Sequence, residues 1–571
     1  MTVDVSKDEK KPTWCYEDVV EHLGGFGRYQ QRVFFLMCLP VMSLGIQTLM
    51  TVFSMKTPQH RCAVPGVQND SYDLKGIEHE RLLNISIPWV SANDVDNKVM
   101  RSQCLLYRNR NQTVYEEGLL YSNRSTTSCS KWVFDHSTFT NTFTEEAAFV
   151  CDKREYHAFA DMLFMVGKLI GSFLVGIFSD FFGRKTGFVF SMVLHIGCAV
   201  GGAFVQSFTV YVALRFIMGG ANFGVFLSVY VLGLELVGRK SRTVAGQFLQ
   251  ISWCFGLLFL AGLAYGLRDW RHLQLAVSCP TVLFLGYYWF IEESPRWLIS
   301  KGRYDEANAI LRKVAHMNGQ PAPPTLEPSD SDVSVKKESA LRMFTNKTTL
   351  VRTLIIFINW IVCTMIYYGL SLNVGNIGGN VYLNFTLSTV AEFIGYVIAM
   401  AGLDRLGRKA MHCGSMIVGG LALIASMFPV MYGGDSVTWS VILLSNIGKM
   451  GASSAFSIIY LFSAELFPTV ARNSLVGMSS MVARVGGVIS PYIAQLNVIV
   501  GGHLGVALPL VVFGGLALFA GLLALWLPET LHRPLPETME DARNFGKLRS
   551  DSVSKKISSS ENGASHNEKI A

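Results

Sequence analysis

Gly176-Ile-Phe-Ser-Asp180-Phe-Phe-Gly183-Arg184-Lys185 ends one apolar run of the chain, turns, and opens the next apolar run. A second copy, Asp404-Arg405-Leu406-Gly407-Arg408-Lys409, begins 224 residues after Asp180 and again separates two apolar runs. Charged turns that recur at a nearly constant offset, always on the same side of apolar runs, are typical of a duplicated bundle of transmembrane helices.

Two other charged elements repeat in the same register. Glu235 and Arg242 return as Glu465 and Arg472, seven residues apart in both copies and offset by 230 residues. A third pair closes each half of the chain: Glu293-Ser-Pro295 and Pro528-Glu529-Thr530. The repeat therefore covers both halves of the sequence.

The composition places the chain in a membrane. Half of the 571 residues are hydrophobic and 16% are charged, against roughly 25% charged in soluble domains. The net charge of +7 does not indicate nucleic acid, because the basic residues lie in the gaps between apolar runs, where they set topology. The sequence contains no HExxH, no P-loop and no dinucleotide fingerprint, so it predicts neither an enzyme nor a cofactor.

Twelve apolar runs of about 20 residues, the length that crosses a bilayer, predict an all-α membrane protein of two six-helix halves. They lie near 33–55, 156–178, 187–205, 209–233, 244–266, 271–291, 351–373, 380–402, 411–431, 438–463, 475–499 and 505–527. The predicted organisation is a segment 1–32, an N-terminal half 33–291 with a loop 56–155, a linker 292–350, a C-terminal half 351–527 and a tail 528–571. Arg and Lys recur on the side of the linker, which predicts that both termini are cytoplasmic.

The loop 56–155 carries the signs of an oxidising compartment. Four cysteines predict two disulfides in any of three pairings: Cys62, Cys104, Cys129 and Cys151. Four glycosylation sequons lie in the same loop: Asn69, Asn84, Asn111 and Asn123. The loop is therefore expected on the lumenal or extracellular side.

The repeated charges predict a gate at the cytoplasmic end. Gly176 and Asp180 share a helix face, so the glycine would allow close helix packing while the carboxylate pairs with a cation. Such pairs would hold one side of the bundle shut; the alternative is that the basic residues are only topological anchors. The predicted gate residues are Asp180, Gly183, Arg184, Lys185, Glu235, Arg242, Asp404, Arg408, Lys409, Glu465 and Arg472.

Asp180-x-x-Gly183-Arg184-Lys185 and its repeat resemble the loop motif of the major facilitator superfamily, although Met400 replaces the leading glycine of the second copy. Four strings narrow the resemblance to the organic cation, organic anion and carnitine transporters: Glu21-His-Leu-Gly-Gly-Phe-Gly-Arg-Tyr-Gln30, Trp270-Arg-His-Leu-Gln-Leu-Ala-Val277, Glu293-Ser-Pro-Arg-Trp-Leu298 and Ala464-Glu-Leu-Phe-Pro-Thr469. The resemblance implies a plasma-membrane carrier that works by alternating access.

Four charges fall near mid-membrane: Lys168, Glu392, Lys449 and Arg484. Each costs several kcal/mol unless it is paired or faces a wet cavity. Glu392 would attract an ammonium, and the resemblance links an acid in the eighth span to cation handling; the alternative is a salt bridge with Lys449 or Arg484. Lys168 is expected to pack or snorkel.

Arg484 offers a planar fork that suits a carboxylate. In the resembling family, cation transporters carry aspartate at this place, whereas the carnitine and anion branches carry arginine. The alternative is a structural arginine that bridges helices. Lys449 matches a basic position of the tenth span, and the sequence leaves open whether it binds substrate or supports structure.

Aromatic residues at helical spacing supply a third element. Trp360 and Tyr367 share a face of the seventh span, and Phe456 and Tyr460 share a face of the tenth. Such rings attract ammonium groups by about 0.5–2 kcal/mol each, although a single aromatic usually serves packing. The resemblance places substrate contacts at Trp360 and Tyr367, and a weaker one at Gln250.

The sequence therefore predicts a transporter of a small organic cation or zwitterion, such as carnitine or an amine-containing metabolite. Without an ATP site it runs on substrate or ion gradients, so its partners are the substrate, membrane lipid and a co-transported ion if there is one, and not nucleic acid. The alternatives are an organic anion carrier and a non-transporting receptor whose glycosylated loop binds a partner.

Overall fold

The computed structural model describes residues 16–67, 70–73, 76–91, 99–108, 125–238, 241–327, 340–433 and 437–545. Long helices dominate these ranges, and the strands are confined to the loop after the first long helix. The predicted sequons at Asn69, Asn111 and Asn123 lie outside the described residues. Asn84 is described and exposed, and its Oδ1 accepts a hydrogen bond from Arg101 at 2.9 Å.

Eleven helices in the described ranges are long and apolar enough to cross a membrane. We call them spans one to ten and twelve: Arg28–Ser54, Cys151–Phe182, Arg184–Gly202, Phe208–Leu236, Val244–Gly266, Trp270–Phe290, Lys347–Asn376, Val381–Leu406, Arg408–Tyr432, Thr438–Leu466 and Gly502–Ala524. The eleventh predicted run is the helix Arg472–Ala494, which we call span eleven. It contains two arginines, Arg472 and Arg484, and packs among the other spans. The twelve-helix fold is thus confirmed.

Shorter helices lie before span one, in the loop, in the linker between the halves, and on either side of span twelve. They are Tyr16–His22, Ile77–Ser86, Phe143–Glu146, Pro295–Ser300, Tyr304–Asn318, Leu496–Val500 and Met539–Asn544. The helix Tyr16–His22 precedes span one, and its Val19 and Val20 are buried. Its first residue donates from the Tyr16 hydroxyl to the Glu235 carbonyl at 2.9 Å, so this segment is attached to span four.

The two halves pack with the same internal pattern. Spans one and five, two and four, and three and four contact each other, and their counterparts seven and eleven, eight and ten, and nine and ten do the same. The halves meet along two seams, span two against span eleven and span five against span eight. Span two is equivalent to span eight, and span five to span eleven, so the two seams are equivalent contacts. This is expected for two repeats related by a pseudo-twofold axis.

Glycines decide the closest helix contacts. A Cβ on Gly171 of span two would overlap the backbone of Gly220 of span four, so these two helices approach backbone to backbone. The prediction that Gly176 provides the close contact is wrong, because a Cβ there would meet only Leu227, at an ordinary 3.8 Å. The small-residue packing lies one to two turns deeper in the helix.

The loop forms a small disulfide-bonded unit. Its antiparallel strand pairs are His60–Cys62 with Trp132–Phe134, Trp89–Ser91 with Val99–Arg101, and Leu105–Tyr107 with Thr126–Ser128. Of the three possible pairings the structure has Cys62–Cys129 and Cys104–Cys151.

An ion pair fixes the start of this unit. The Arg61 guanidinium donates to both oxygens of Asp70, at 2.8 and 2.6 Å. Burial acts to raise the pKa of the Asp70 carboxyl, but the hydrogen bonds from Arg61 and the Val64 amide, with the Arg61 charge, hold it below its usual value. The bidentate geometry is the strong form of this interaction.

We call the end of the bundle that carries this loop the loop face, and the end that carries the repeated Gly-Arg-Lys turns the motif face. At the loop face the halves are in contact: Phe53 of span one stacks on Tyr382 of span eight, with ring centroids 5.6 Å apart. Lys56 donates to the Gly375 carbonyl at 2.6 Å. The described conformation is therefore closed at the loop face.

Candidate substrate site

A narrow cavity lies between the halves, near the middle of the spans. Its volume is about 60 Å³, room for a few water molecules. No carboxylate lines it within the described part of the chain. The lining residues are Lys168, Asn222, Phe223, Phe226, Tyr230, Leu249, Gln250, Trp253, Tyr367, Tyr368, Tyr396, Phe456, Tyr460 and Arg484.

A larger cavity of about 680 Å³ lies towards the motif face. The two cavities share Phe223, Phe226, Tyr230 and Tyr460, so these aromatic side chains separate them. A guest molecule that enters the large cavity would reach the central one when the rings move. The conformation is therefore closed at the loop face and open towards the motif face, with its central cavity contracted.

Arg484, which the sequence predicts to contact substrate, lies on the wall of the central cavity. Its guanidinium carbon is 4.1 Å from the centroid of the Phe223 ring, and its Nη2 donates weakly to Ser480 Oγ at 3.4 Å. The Nε atom is buried without a hydrogen-bond partner, and no carboxylate within the described ranges forms an ion pair with it. A buried, unpaired guanidinium is costly unless a ligand or water completes it.

Lys168 lines the same cavity, which sequence reasoning missed when it favoured packing or snorkelling. The Nζ atom donates to Thr48 Oγ1 at 2.9 Å and lies 4.9 Å from the Phe164 ring centroid and 5.3 Å from the Tyr368 ring centroid. Aromatic faces and one hydroxyl surround this ammonium, and no salt bridge to it occurs in the part of the chain that the structure describes. The depth of Lys168 was readable from the sequence, but the face it occupies was not.

Glu392 and Lys449 form an internal pair behind the cavity wall. Lys449 Nζ lies 3.3 Å from Glu392 Oε2, and Glu392 Oε1 accepts from the hydroxyls of Tyr367 at 2.7 Å and Tyr396 at 3.0 Å. Lys449 also donates to Ser371 Oγ and to the Tyr367 carbonyl at 3.2 Å. Neither Glu392 nor Lys449 lines the central cavity in this conformation. Of the two readings of Glu392, the geometry matches the salt bridge with Lys449.

The predicted aromatic residues cluster, but not all of them face the cavity. Tyr367 and Phe456 stack at 5.6 Å and 19° and line it. Trp360 is fully buried beneath Tyr460, with ring centroids 4.3 Å apart, and is not part of the lining. Gln250 does line the cavity, and its Oε1 is buried without a partner. Trp360 thus supports the wall that Tyr460 presents.

The charged groups of the first gate motif pair with one another inside the N-terminal half. Arg184 Nη1 donates to Asp180 Oδ1 at 2.6 Å. The backbone N–H groups of Arg184 and Lys185 donate to the Glu293 carboxylate, at 2.9 and 3.2 Å. Gly183 has φ +107°, and a Cβ there would overlap the Glu293 carboxylate, so only glycine fits.

The second copy repeats this geometry in the C-terminal half. The N–H groups of Arg408 and Lys409 each donate to Glu529 at 3.0 Å, and Gly407 has φ +93°. Burial acts to raise the pKa of Glu529, but four backbone N–H groups hold it below its usual value. The side chain of Arg408 also donates to Asp404 at 3.1 Å and to Glu465 at 3.1 Å.

The pairs Glu235 with Arg242 and Glu465 with Arg472 do not form direct salt bridges in the described geometry. Arg242 Nε donates to the carbonyls of Leu234 and Val237, at 3.3 and 3.2 Å. Arg472 Nε donates to the Phe467 carbonyl at 3.3 Å. The carboxylates of Glu235 and Glu465 instead accept from Ser294 and Thr530, beside the capping acids Glu293 and Glu529. The repeated acid of the Glu-Ser-Pro and Pro-Glu-Thr strings, which was not predicted as a gate residue, is therefore a central member of each cluster.

Two repeats of six spans that enclose polar cavities between them define a secondary transporter of the major facilitator class. The inward-open, partially occluded xylose transporter XylE from E. coli superposes on this chain with a TM-score of 0.58, at 15% identity over 89% of this chain and all of that one. The model of the "Sugar (and other) transporter" family matches residues 112–542.

Relatives of nearly the same length narrow the family. The organic cation transporter protein of Drosophila melanogaster is 39% identical over 93% of this chain and 95% of its own length. The human organic cation/carnitine transporter 2 is 33% identical over 92% of this chain and 93% of its own. The chain belongs to the organic cation and carnitine transporter family of the major facilitator superfamily, and it is a membrane transporter rather than a member of an enzyme family.

Proposed function

We propose that the substrate is a small organic cation that also bears a carboxylate, a carnitine-like zwitterion. The observation that carries this proposal is the charge of the central cavity: Lys168 and Arg484 face it with no ion-pair partner among the residues that the structure describes, whereas Glu392 is neutralised by Lys449. Two positive charges attract a carboxylate and repel a substrate that has only a positive charge. Relatives that are named for organic cations and for carnitine agree with a substrate of this class.

The aromatic wall supplies the other half of the zwitterion's environment. Tyr367 and Phe456 present stacked rings to the cavity, and Tyr230 and Tyr460 lie at its boundary with the larger cavity. These rings would take the ammonium through cation–π attraction, while Arg484 and Lys168 bind the carboxylate. Gln250 offers an additional hydrogen-bond acceptor. Trp360 and Lys449 hold Tyr460 and Glu392 in place from behind.

Glu392 would then act on the substrate indirectly in this conformation. Its Oε1 accepts hydrogen bonds from Tyr367 and Tyr396, two residues of the cavity lining. It therefore makes both phenol oxygens richer in electron density and directs their lone pairs and rings towards the cavity. Direct contact with an ammonium would need the carboxylate to leave Lys449.

The motif face is proposed to be cytoplasmic and the loop face extracellular, at the plasma membrane. Support comes from the basic residues of the motif face, and from the disulfides and the exposed sequon asparagine Asn84 of the loop. In this orientation the described conformation faces inward. The segment boundaries at residues 32, 291, 350 and 527 follow from the same topology.

We also propose that the two motif clusters form the inner gate. Asp180 and Arg184 of the N-terminal half and Arg472 of the C-terminal half line the same large cavity. When the halves rock closed at this end, Arg472 would approach Asp180, whose side chain is 70% exposed here. The capping by Glu293 and Glu529 keeps each turn rigid while its half moves.

An organic anion carrier is the second candidate, and the same surplus of positive charge favours it. The two candidates differ in what the aromatic wall does, since an anion without an ammonium gains nothing from cation–π attraction. A non-transporting receptor remains the alternative of a different class, and uptake of no probe above background would favour it.

Uptake by cells that express the chain separates these candidates. The probes are L-carnitine, tetraethylammonium and estrone sulfate, each with and without sodium, with surface-biotinylated protein as the denominator. The proposal expects carnitine to exceed both other probes. Exclusive uptake of the sulfate would overturn the zwitterion assignment, and preference for tetraethylammonium would show that the two cations do not set the site's charge.

A further inference from the structure

A second polar pocket lies at the loop face, away from the central cavity. Its volume is about 320 Å³, within the range of small-molecule sites. Four parts of the chain meet there: the segment after span one, Gln103 of the loop, the beginning of span two, and the connection between spans eleven and twelve. Among the described residues, none that lines it carries a carboxylate.

The pocket contains a cation without a counterion. Arg154 donates to Gln103 Oε1 at 3.4 Å and lies 3.7 Å from Cys104 Sγ, and no ion pair to it occurs among the described residues. An unpaired guanidinium in a pocket without acids makes the site attractive to an anion. Its planar fork suits an oxyanion better than a spherical ion.

Three further polar atoms in the lining are buried and lack partners. His60 is 5% exposed; its Nδ1 lies 3.1 Å from the Pro58 carbonyl, to which it donates, and its Nε2 is unpartnered. His157 Nδ1 accepts from the Gln495 side-chain amide at 2.6 Å, and its Nε2, which has no hydrogen bond, lies 3.9 Å from Asp161 Oδ2 behind the pocket. Asn497 Oδ1 is an unpartnered acceptor. Buried polar atoms are normally satisfied, so this cluster requires a ligand or ordered water.

The mixture of donors and acceptors selects among anions. Arg154 can donate to oxyanion oxygens, whereas His60 Nε2 and Asn497 Oδ1 call for a hydrogen-bond donor on the ligand. Hydrogen phosphate has both kinds of group, while sulfate has the same shape but no O–H at neutral pH. A metal ion does not fit this chemistry: His60 lies near Cys104 and Cys151, but those sulfurs are joined in a disulfide and offer no thiolate.

We propose that this loop-face pocket binds a small oxyanion that carries an O–H group, hydrogen phosphate being the simplest, and thereby holds the two halves together. Arg154 and His157 belong to the N-terminal half, and Gln495 and Asn497 belong to the C-terminal half. A ligand that contacts both sets binds the conformation in which this face is closed. It shifts the population towards that state by its difference in affinity.

Isothermal titration of inorganic phosphate into the purified full-length protein at pH 7.4 tests the site. We expect one saturable event, at least tenfold weaker with sulfate, and at least tenfold weaker in Arg154→Gln. Lys153→Gln is the matched control, because it removes an adjacent, exposed positive charge that does not line the pocket. Its affinity for phosphate should equal that of the wild type.

A second variant tests the contribution of the other half without touching Arg154. Gln495→Glu places a carboxylate in the pocket at nearly constant shape, and it too should weaken phosphate binding at least tenfold while the protein stays monodisperse. Absence of saturable binding, equal affinity for sulfate, or unchanged affinity in both Arg154→Gln and Gln495→Glu would overturn the proposal. Binding of dihexanoyl phosphatidate without binding of free phosphate would overturn the soluble anion and make the ligand a lipid headgroup.

Discussion

Glu392 and Lys449 should depend on each other far more than on anything else in the bundle. Both side chains are almost fully buried and their charged atoms lie 3.3 Å apart. In Glu392→Gln the ammonium of Lys449 would keep Ser371 Oγ and the Tyr367 carbonyl as partners but would have no counterion. In Lys449→Gln the carboxylate of Glu392 would keep the hydroxyls of Tyr367 and Tyr396 as donors but would lose its counterion.

The size of the effect follows from the separation. Two unit charges 3.3 Å apart interact by about 5 kcal/mol at an effective dielectric constant of about 20. Removing one partner of a buried pair typically costs about 3–5 kcal/mol, whereas replacing both can be nearly neutral. Each single variant should therefore lower stability strongly, and Glu392→Gln/Lys449→Gln should recover most of the loss. The loss in the double variant should therefore fall far short of the sum of the two single losses.

Thermal unfolding of the four purified proteins, followed with a thiol-reactive dye, measures this cycle, and surface expression provides a cellular check. Uptake per surface molecule separates stability from binding. If the double variant lost as much stability as the two single variants together, the pair would not be a structural unit. If Glu392→Gln kept wild-type stability and lost only cation uptake, Glu392 would instead be a residue that binds substrate directly.

Three further changes test other parts of the structure. Arg484→Gln removes a charge-assisted hydrogen bond of about 1.5–3 kcal/mol, so the KM for carnitine should rise about ten- to hundredfold while tetraethylammonium uptake does not fall. Arg484→Asp should shift the preference towards simple cations, and an unchanged ranking of substrates would contradict the role of the guanidinium. Gly407→Ala places a side chain at φ +93° and against the Glu529 carboxylate, so thermal unfolding should show a loss of stability of about 1–3 kcal/mol. The control Gly414→Ala, where a Cβ meets open space, should lose no stability, and equal losses in the two variants would contradict the role of backbone conformation at Gly407. Asp70→Asn removes the counterion of the buried Arg61 guanidinium and should destabilise the loop unit by about 3–5 kcal/mol. Because folding lowers the pKa of Asp70, the ion pair contributes stability above pH ~4 and loses it as the pH falls through the folded pKa. A wild-type loop that resists acid no better than the variant would refute this ion pair.

The sequence was sufficient for the architecture because bilayer thickness and loop charge are one-dimensional signals. Apolar runs gave the twelve spans, and the repeat of Asp180 as Asp404 gave the two halves. The four loop cysteines were identified, but their pairing was not, since it depends on which strands meet in space. The role of Glu293 and Glu529 was also out of reach, because each caps a turn more than a hundred residues away.

For the candidate site residues, the sequence could predict only how deep each one lies along its membrane span. Arg484, Tyr367, Phe456, Tyr460 and Gln250 do line the cavity. Whether a residue lines the cavity also depends on the direction in which it projects from its helix. Lys168 projects into the cavity, whereas Trp360, Lys449 and Glu392 lie behind the lining residues. The local sequence does not record how each helix is rotated about its own axis.

The central claim is that a carboxylate-bearing ammonium substrate is held between the halves by Arg484 and Lys168. A cryo-electron microscopy map of the purified protein with saturating L-carnitine tests it most directly. We expect ligand density with its carboxylate at hydrogen-bond distance from both cations and its ammonium against the rings of Tyr367 and Phe456. A map of the carnitine-bound protein with the space between the halves empty, or with the ammonium directed at Arg484, would contradict the claim.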